Sequence, residues 1–398
     1  MINMKILLVN CLYYPNVFGG AEKSTQILAE ELINKNMKTV VVCIHPYKDK
    51  TEFYNGVKIY YLNHRNIYFK FKKRNFADQL LKPLNFLIDT YNPFIGEAIK
   101  EILKTERPDI IHTNNIYGIS PVIWKIAKDF HLPVVHTLRD LQLLCAGGTM
   151  FKKHTLCQRQ CLECKILTST RKYFSKNIDY VVGISNFILN EHLEYGLFNN
   201  TKKAVIFNPL LSEPISLPKT EVHSPVKFLY LGGVFEHKGF YFLIKAFSKL
   251  GHIKNKWELL IAGRGEYNEK NHPENIKFLG FTQVKKIYPD ADVLIVPSIW
   301  NEPFGRIIVE ANSYGLPVIG SNRGGIPELI LHGKTGFIFN PNNEDDFLNY
   351  VKLFIENPDM VLKLSPNCLE YSHRFTKDRI ADMYIQTYYS LVNKKCLN

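Results

Sequence analysis

Ala291-Asp292-Val293-Leu294-Ile295-Val296-Pro297 leads through Ser298-Ile299-Trp300 into Asn301-Glu302-Pro303-Phe304-Gly305-Arg306-Ile307-Ile308-Val309-Glu310, and this stretch decides the fold. The apolar run 291–297 reads as a buried parallel strand. The segment after Gly305 reads as a helix. Glu302 therefore belongs to a loop at a strand's carboxyl end, and Glu310, eight residues on, lies inside the helix. In open α/β sheets ligands bind outside the carboxyl ends of the strands. Gly324-Gly325-Ile326-Pro327-Glu328 follows shortly after. A carboxylate and free backbone amides in that position suit hydroxyl-rich, phosphate-bearing ligands.

Outward from this stretch the same alternation recurs. Residues 4–10, 38–44, 109–113, 133–137, 179–182 and 204–207 are short, apolar and rich in Val and Ile. Helical patterns lie between several of them, at 20–35, 94–105 and 119–130. The pattern restarts at 226–231 and continues with strands near 257–262, 275–279, 291–296 and 317–320. Such alternation implies α/β architecture, with parallel sheets covered by helices on both faces. Pro209, Pro214, Pro218 and Pro225 punctuate a stretch without periodicity, which reads as an interdomain linker. The expected layout is an N-terminal Rossmann-like domain over 1–208, a second over 209–375, and a last helix in 376–398 that packs back toward the first. A cleft between two facing domains follows from it.

The totals agree with that layout. At 398 residues the chain exceeds one ordinary core, and 46% hydrophobic with 22% charged residues is the composition of a globular protein. No apolar run reaches the length of a membrane span. Lys5-Ile6-Leu7-Leu8-Val9-Asn10 is too short for a signal-peptide core and reads as a first strand, so a cytoplasmic location is expected. The formal charge of +13 is concentrated in places. His64-Arg65-Asn66-Ile67-Tyr68-Phe69-Lys70-Phe71-Lys72-Lys73-Arg74 mixes cations with aromatics and holds no acid. It reads either as a contact with anionic lipid at the inner face of the cytoplasmic membrane or as a solvated lysine-rich face. Nucleic acid is the weakest reading, because no nucleic-acid motif accompanies the charge.

Four glycine loops stand where ligands bind. Gly19-Gly20 opens the first helix, and paired glycines there admit a phosphate or sugar close to the backbone. A tight turn explains the pair equally well, and neither the dinucleotide fingerprint nor the Walker pattern is complete. Leu231-Gly232-Gly233-Val234-Phe235-Glu236-His237-Lys238-Gly239 has the same placing, with Lys238 positioned to meet a diphosphate. Ile261-Ala262-Gly263-Arg264-Gly265-Glu266 adds an arginine for a base or phosphate, and Gly324-Gly325 completes the set. With Glu302 and Glu310 the four form a specific constellation.

On these residues the chain resembles the retaining glycosyltransferases of family 4, a GT-B family with two facing Rossmann-like domains. The likeness covers nearly the whole length. It is sharpest over 228–340, where Gly-x-x-x-x-x-Lys-Gly, Gly-Arg-Gly-Glu, Pro-Ser-x-x-Asn-Glu-Pro-Phe-Gly, Glu-Ala and Gly-Gly-x-x-Glu occur in the family's order. The resemblance implies that Glu310 holds the ribose hydroxyls and Lys238 the diphosphate. It assigns the sugar's hydroxyls to Glu302 and the backbone after it, at Phe304 and Gly305. Gly19 and Gly20 would line the cleft from the other domain. Asp109-Ile110-Ile111-His112-Thr113-Asn114 and Val181-Val182-Gly183-Ile184-Ser185 match the family's N-terminal strands. No metal is required by enzymes of this kind, since side chains neutralise the leaving diphosphate.

Two departures matter. Where the family often has an arginine five residues before the phosphate lysine, this chain has Gly233, so Arg264 compensates or Lys238 carries more of the load. In Val135-His136-Thr137-Leu138-Arg139-Asp140, Arg139 stands where many relatives have histidine. Arginine is no general base at neutral pH, but it can stabilise charge while Asp140 or His136 positions the acceptor. A subgroup acting on lipid-linked polysaccharide precursors resembles the chain here, down to a nearby cysteine cluster. That cluster is Cys145, Cys157, Cys161 and Cys164, in a loop that also holds His154. Four thiolates can hold a tetrahedral zinc, yet the spacing is not that of a standard finger and reduced thiols are the alternative. Cys11, Cys43, Cys368 and Cys396 read as isolated buried or tail thiols, and His112 as a core histidine.

The function expected from this reading is transfer of a hexose-type sugar, with retention, from a UDP- or GDP-linked donor. The acceptor is a hydroxyl of a glycan or lipid-linked glycan. Epimerases of nucleotide sugars and glycan phosphorylases share the architecture and remain alternatives, as does a binding protein that has lost turnover. Product analysis separates them, since an epimerase needs no acceptor and a phosphorylase needs inorganic phosphate.

Overall fold

The computed structural model describes residues 4–16, 19–67, 69, 80–215, 217–265, 267 and 273–393. The chain divides into two compact units. One comprises Met1–Met150, Gln158–Pro209 and Lys377–Asn398, and the other Phe151–Cys157 and Leu210–Thr376.

In the first unit the strands are β1 (Lys5–Val9), β2 (Lys38–His45), β3 (Lys50–Tyr54), β4 (Val57–Asn63), β5 (Ile110–Thr113) and β6 (Val134–Leu138). A short hairpin of β7 (Phe151–Lys152) and β8 (Thr155–Leu156) then groups with the second unit, so the first is not one unbroken run of chain. β9 (Tyr180–Gly183) and β10 (Lys202–Val205) complete the first sheet. Its order is β10-β9-β6-β5-β1-β2-β4-β3, parallel throughout except that β3 runs antiparallel to β4. Ile6, Leu7, Leu8 and Val9 of β1 are all buried, as befits a central parallel strand with helices on both faces.

The last helix, Lys377–Val392, belongs to this first unit. Ile380, Ala381, Tyr384 and Tyr388 enter the core beside Leu28 and Leu32 of the first helix, Gly20–Asn34. Lys35 at that helix's C-terminus is clamped by Asp378 at 2.6 Å and Asp382 at 2.7 Å.

The second unit contains β11 (Val226–Leu231), β12 (Trp257–Ala262), β13 (Ile276–Gly280), β14 (Val293–Val296), β15 (Val318–Ser321) and β16 (Gly336–Phe339). Every pairing is parallel and the order is β13-β12-β11-β14-β15-β16. This is the doubly wound arrangement in which the direction of winding reverses between β11 and β14. The core packs Phe228 and Tyr230 of β11 against Phe240 and Phe247 of the helix Phe240–Ser248. Two loops leave the carboxyl ends at the reversal, Gly232–Gly239 after β11 and Pro297–Gly305 after β14. These are the loops that carry Lys238 and Glu302.

Candidate active site

Backbone geometry first explains why the two loops meet. Gly239 has φ +75°, and a Cβ there would lie 1.8 Å from the Pro297 carbonyl oxygen, so only glycine lets the loops close. The amides of Ile299 and Trp300 donate to the His237 carbonyl at 3.0 and 3.2 Å, stitching one loop to the other. From the far side, the Gly325 amide donates to the Glu302 carbonyl at 2.7 Å.

Three donors converge on a single carboxylate oxygen. Glu302 Oε1 accepts from Lys238 Nζ at 2.5 Å, Ser298 Oγ at 3.0 Å and Trp300 Nε1 at 2.9 Å. Glu302 is 9% exposed, while the Lys238 ammonium, also 4.9 Å from the Trp300 ring centroid, keeps partial access to solvent. A cation so oriented by a carboxylate and an indole face is held for a charged ligand at little cost in reorganisation. Beside it His237 is held below the usual imidazole range, first by burial and then by Lys238.

Glu310 lies in the helix Arg306–Asn312, which begins after Gly305 at φ +109°. The carboxylate is buried, and burial raises its pKa against the lowering influence of Arg306 and Tyr288. Tyr288 donates to Oε2 at 3.3 Å, whereas Oε1 has no hydrogen-bond donor among the described residues and faces Arg306 Nε at 3.4 Å. A buried acceptor in this state has capacity for a further hydrogen-bond donor.

The remaining donor-side candidates divide. Phe304 is buried with its ring 6.4 Å from Phe375, so its side chain packs inward. Arg264 is exposed and its guanidinium lies 5.1 Å from the Phe281 ring centroid, so it is not part of the Lys238–Glu302 cluster. Glu266 lies outside the described residues, as do Tyr68 and Lys70–Arg74 of the basic-aromatic segment.

In the first unit, the carboxyl ends of β1, β5 and β6 bring together Gly19, Glu22, Asn114, Asn115, Arg139 and Asp140. The Gly19 amide donates to Glu22 Oε2 at 2.8 Å, the half of a capping box that glycine can make, while Gly20 is exposed in the helix's first turn. Burial raises Glu22, with Asp140 adding to the rise and Arg139 opposing it. Arg139 is buried, its Nε donating to Asn114 Oδ1 at 3.0 Å and its Nη1 to Asn208 Oδ1. Asp140 accepts from Asn115 Nδ2 at 3.1 Å and from the Gln142 amide at 2.8 Å.

His136 lies beside Asn114, Arg139 and Asp140, largely turned into the core. Its ring is buried, Nδ1 shares a hydrogen with Thr113 Oγ1 at 2.8 Å, and burial lowers its pKa to about 3. His112 is the core residue its strand position implies, bridged to Tyr388 at 2.7 Å and Thr137 at 2.8 Å.

Of the cysteine cluster, Cys145 and Cys164 lie with their Sγ atoms 3.8 Å apart. Among the described residues no group of three or more His, Cys, Asp or Glu side chains is placed to hold a metal ion. Cys11, Cys43 and Cys368 are buried; Cys396 lies outside the described residues.

Residues missed in the sequence are those that position the charged pair: Ser298, Trp300, His237 and, under Glu310, Tyr288. The signal for Trp300 was present, since an indole N–H in a buried loop needs an acceptor and a carboxylate stands two residues on.

Fold and site together place the chain among sugar-transferring enzymes of the GT-B class, and the comparisons agree. Residues 215–371 match the family described as glycosyl transferases group 1, and residues 18–210 match glycosyltransferase family 4. A Klebsiella pneumoniae protein described as an uncharacterised 42.6 kDa protein in the cps region is 37% identical over 334 residues, 82% of this chain and 87% of the relative. An uncharacterised glycosyltransferase of Methanocaldococcus jannaschii is 26% identical over 86% of each chain. Among solved structures, sucrose-phosphate synthase from Thermosynechococcus elongatus has TM-score 0.74 at 20% identity, covering 98% of this chain and 100% of that one. Anabaena HepE, solved with UDP and glucose, has TM-score 0.67 at 20% identity over the same shares. The chain belongs to the group 1 glycosyltransferases, glycosyltransferase family 4.

Proposed function

We propose that the protein transfers a hexose-type sugar from a UDP- or GDP-linked donor to a hydroxyl of a glycan or lipid-linked glycan, with retention at the anomeric carbon. The observation that carries this reading is the cluster at the sheet's reversal point: Lys238 held on Glu302 by Ser298 and Trp300. Glu310, with one unsatisfied buried oxygen, is the ribose ligand. Lys238 neutralises the diphosphate, and Glu302 with the backbone at Phe304 and Gly305 reads the sugar hydroxyls. The nucleotide in the solved HepE structure supports a uridine donor, and the cps-region relative supports a polysaccharide acceptor.

A front-face route fits these residues. As the glycosidic bond to the diphosphate breaks, charge grows on the departing β-phosphate, which takes the acceptor's proton while Lys238 and backbone amides stabilise it. Neither a protein nucleophile nor a metal is required by this route. Arg139 and Asp140 serve the acceptor side, Arg139 as a fixed positive charge and Asp140 through the loop it braces.

Thermal denaturation with a panel of nucleotide diphosphates and their sugars tests the donor half. A selective rise in Tm for one nucleotide, lost in Glu310→Ala, is expected. Incubation of that nucleotide's sugars with glycan acceptors, followed by NMR of the product anomer, tests the rest. An inverted linkage overturns retention, and a melting curve that no nucleotide shifts overturns the donor assignment.

A further inference from the structure

Two surface helices of the first unit present large apolar side chains to solvent as well as to the core. In the helix Lys82–Thr90 the inward positions are Asn85, Phe86, Asp89 and Thr90, and in Leu162–Phe174 they are Cys164, Thr168, Arg171 and Phe174. The opposite faces carry Leu84, Leu87 and Tyr91 on the first, and Leu162, Ile166 and Tyr173 on the second. At 3.6 residues per turn Leu84 and Leu87 fall on one stripe at a spacing of three, with Tyr91 at the helix's C-cap just beyond them, and Leu162, Ile166 and Tyr173 fall on another at spacings of four and seven. These six side chains are between 50% and 73% exposed. A surface helix ordinarily turns such a stripe inward.

The two stripes form one face because the helices are locked together from beneath. The buried Arg171 guanidinium lies 4.3 Å from the Phe86 ring centroid and 3.7 Å from Asp89, and the rings of Tyr91 and Phe174 stack at 6.2 Å. Six large apolar side chains on one face exceed what scattered exposure explains and mark an interaction surface.

Charge selects the occupant. Lys165, Lys172 and Lys176 are exposed along the second helix and just beyond it, and Lys176 Nζ lies 5.8 Å from the Tyr173 ring centroid. Glu163 is the one acidic side chain of that helix. A second copy docking face to face would set this lysine rim against itself. An anionic lipid surface satisfies both halves at once, with leucines and isoleucine below the headgroups and tyrosines and lysines among them. No helix among the described residues is long and apolar enough to cross a membrane.

We propose that this helix pair docks the protein on an anionic membrane through Leu84, Leu87, Tyr91, Leu162, Ile166 and Tyr173. The docked helices also brace the acceptor-side loops. Arg171 Nη1 donates to the Gln142 carbonyl, two residues from Asp140, and Asp89 Oδ1 accepts from the Gly118 amide at 2.6 Å. Membrane contact thus brings the loop of Arg139 and Asp140 to a lipid-borne acceptor, a consequence that rests on the glycosyl-transfer reading, whereas the docking itself does not.

Flotation of the full-length protein with vesicles tests the docking. Wild type is expected to float with phosphatidylcholine vesicles containing 30% phosphatidylglycerol, and at least tenfold less with phosphatidylcholine alone. Leu87→Ser/Ile166→Ser and, separately, Lys165→Glu/Lys176→Glu are each expected to reduce anionic-vesicle binding at least tenfold. Both should keep the wild-type melting curve and its nucleotide-induced shift. Wild type that stays with the pellet, or an apolar double variant that folds and floats as wild type does, overturns the proposal. So does sedimentation showing a wild-type dimer that the apolar variant dissolves without any vesicle binding. An unshifted nucleotide melt with intact flotation refutes the donor reading alone.

Discussion

Replacing Lys238 by alanine separates the chemical role of the pair from its structural role. The ammonium is 2.5 Å from Glu302 Oε1 and 31% exposed at the side chain. Two unit charges 4 Å apart at an effective dielectric of 20 interact by about 4 kcal/mol. Partial exposure screens this, so about 3 kcal/mol is expected against the charge that develops on a departing diphosphate. That corresponds to a loss in kcat of roughly a hundredfold or more, in line with the 10²–10³ that removal of one preorganised donor typically costs. Stability should move less. Ser298 and Trp300 still donate to Glu302 in the variant, and an ion pair this exposed contributes about 1 kcal/mol, a few degrees in Tm for a unit of this size. The assay is nucleotide release at saturating donor and acceptor for wild type, Lys238→Ala, Lys238→Met and Lys238→Arg, with melting curves in parallel. Glu302→Gln is the control: it retains acceptors for Ser298 and Trp300 but releases Lys238, so nucleotide diphosphate should bind as well or a few-fold tighter while discrimination between sugars falls. Turnover within threefold of wild type in Lys238→Ala, or a loss confined to the donor KM, refutes the leaving-group role.

Glu310→Ala removes the buried acceptor opposite Arg306. With charge-assisted hydrogen bonds worth about 1.5–3 kcal/mol, nucleotide affinity should fall at least tenfold, read as a diminished ligand-induced Tm shift at fixed concentration. Glu106 behaves differently: burial would raise it, but hydrogen bonds from Lys58 (2.6 Å), Tyr60 (2.6 Å) and Lys5 (3.1 Å) prevail and hold it at about 2. Because the folded value lies below the unfolded one, its stabilisation is complete above the unfolded value near 4.3 and disappears as pH falls toward 2. Urea melts from pH 6 to pH 3 should therefore show a steeper acid loss for wild type than for Glu106→Gln, the variant being less stable at pH 6 by on the order of 3 kcal/mol. Gly263→Ala places a Cβ 1.7 Å from the Gly232 carbonyl oxygen at φ +157°, so a fall in Tm of at least about 4 °C is expected in the second unit's melt.

What was legible in the sequence were features whose meaning is local. Central strands such as β1, β11 and β14 announce themselves as runs of Val, Ile and Leu because both faces are buried, and the last helix appears at Lys377–Val392, within the 376–398 expected. Edge elements do not have that signature. β3 is mostly exposed, so its alternation is polar, and β10 lies at Lys202–Val205, two residues before the apolar run at 204–207. The β3–β4 hairpin did have a signal: Asn55 and Gly56 both take positive φ, 47° and 78°, in a two-residue turn. Buried polar networks are harder still. Nothing in Val135–Asp140 tells that His136 turns into the core toward Thr113 or that Arg139 is gripped by Asn114 and Asn208, because those partners come from distant segments.

The absent arginine at Gly233 shows how such a departure is absorbed. A Cβ at 233 would fall 2.2 Å from the Phe235 ring, so a larger residue there requires that ring to turn away. Phe235 in turn stacks on His237, with centroids 5.5 Å apart and planes 12° apart, and His237 meets Trp300 edge-on at 5.4 Å. An aromatic column therefore occupies the approach to position 233 and ends at the indole that faces the Lys238 ammonium. Lys238 is oriented from two sides, by the Glu302 carboxylate and by the Trp300 ring. Since only charge already in place when the leaving group departs lowers the barrier, a single well-held lysine can substitute for a looser pair. Trp300 is thereby tied to the position of the Lys238 ammonium, through the ring it presents and through the oxygen the two share on Glu302.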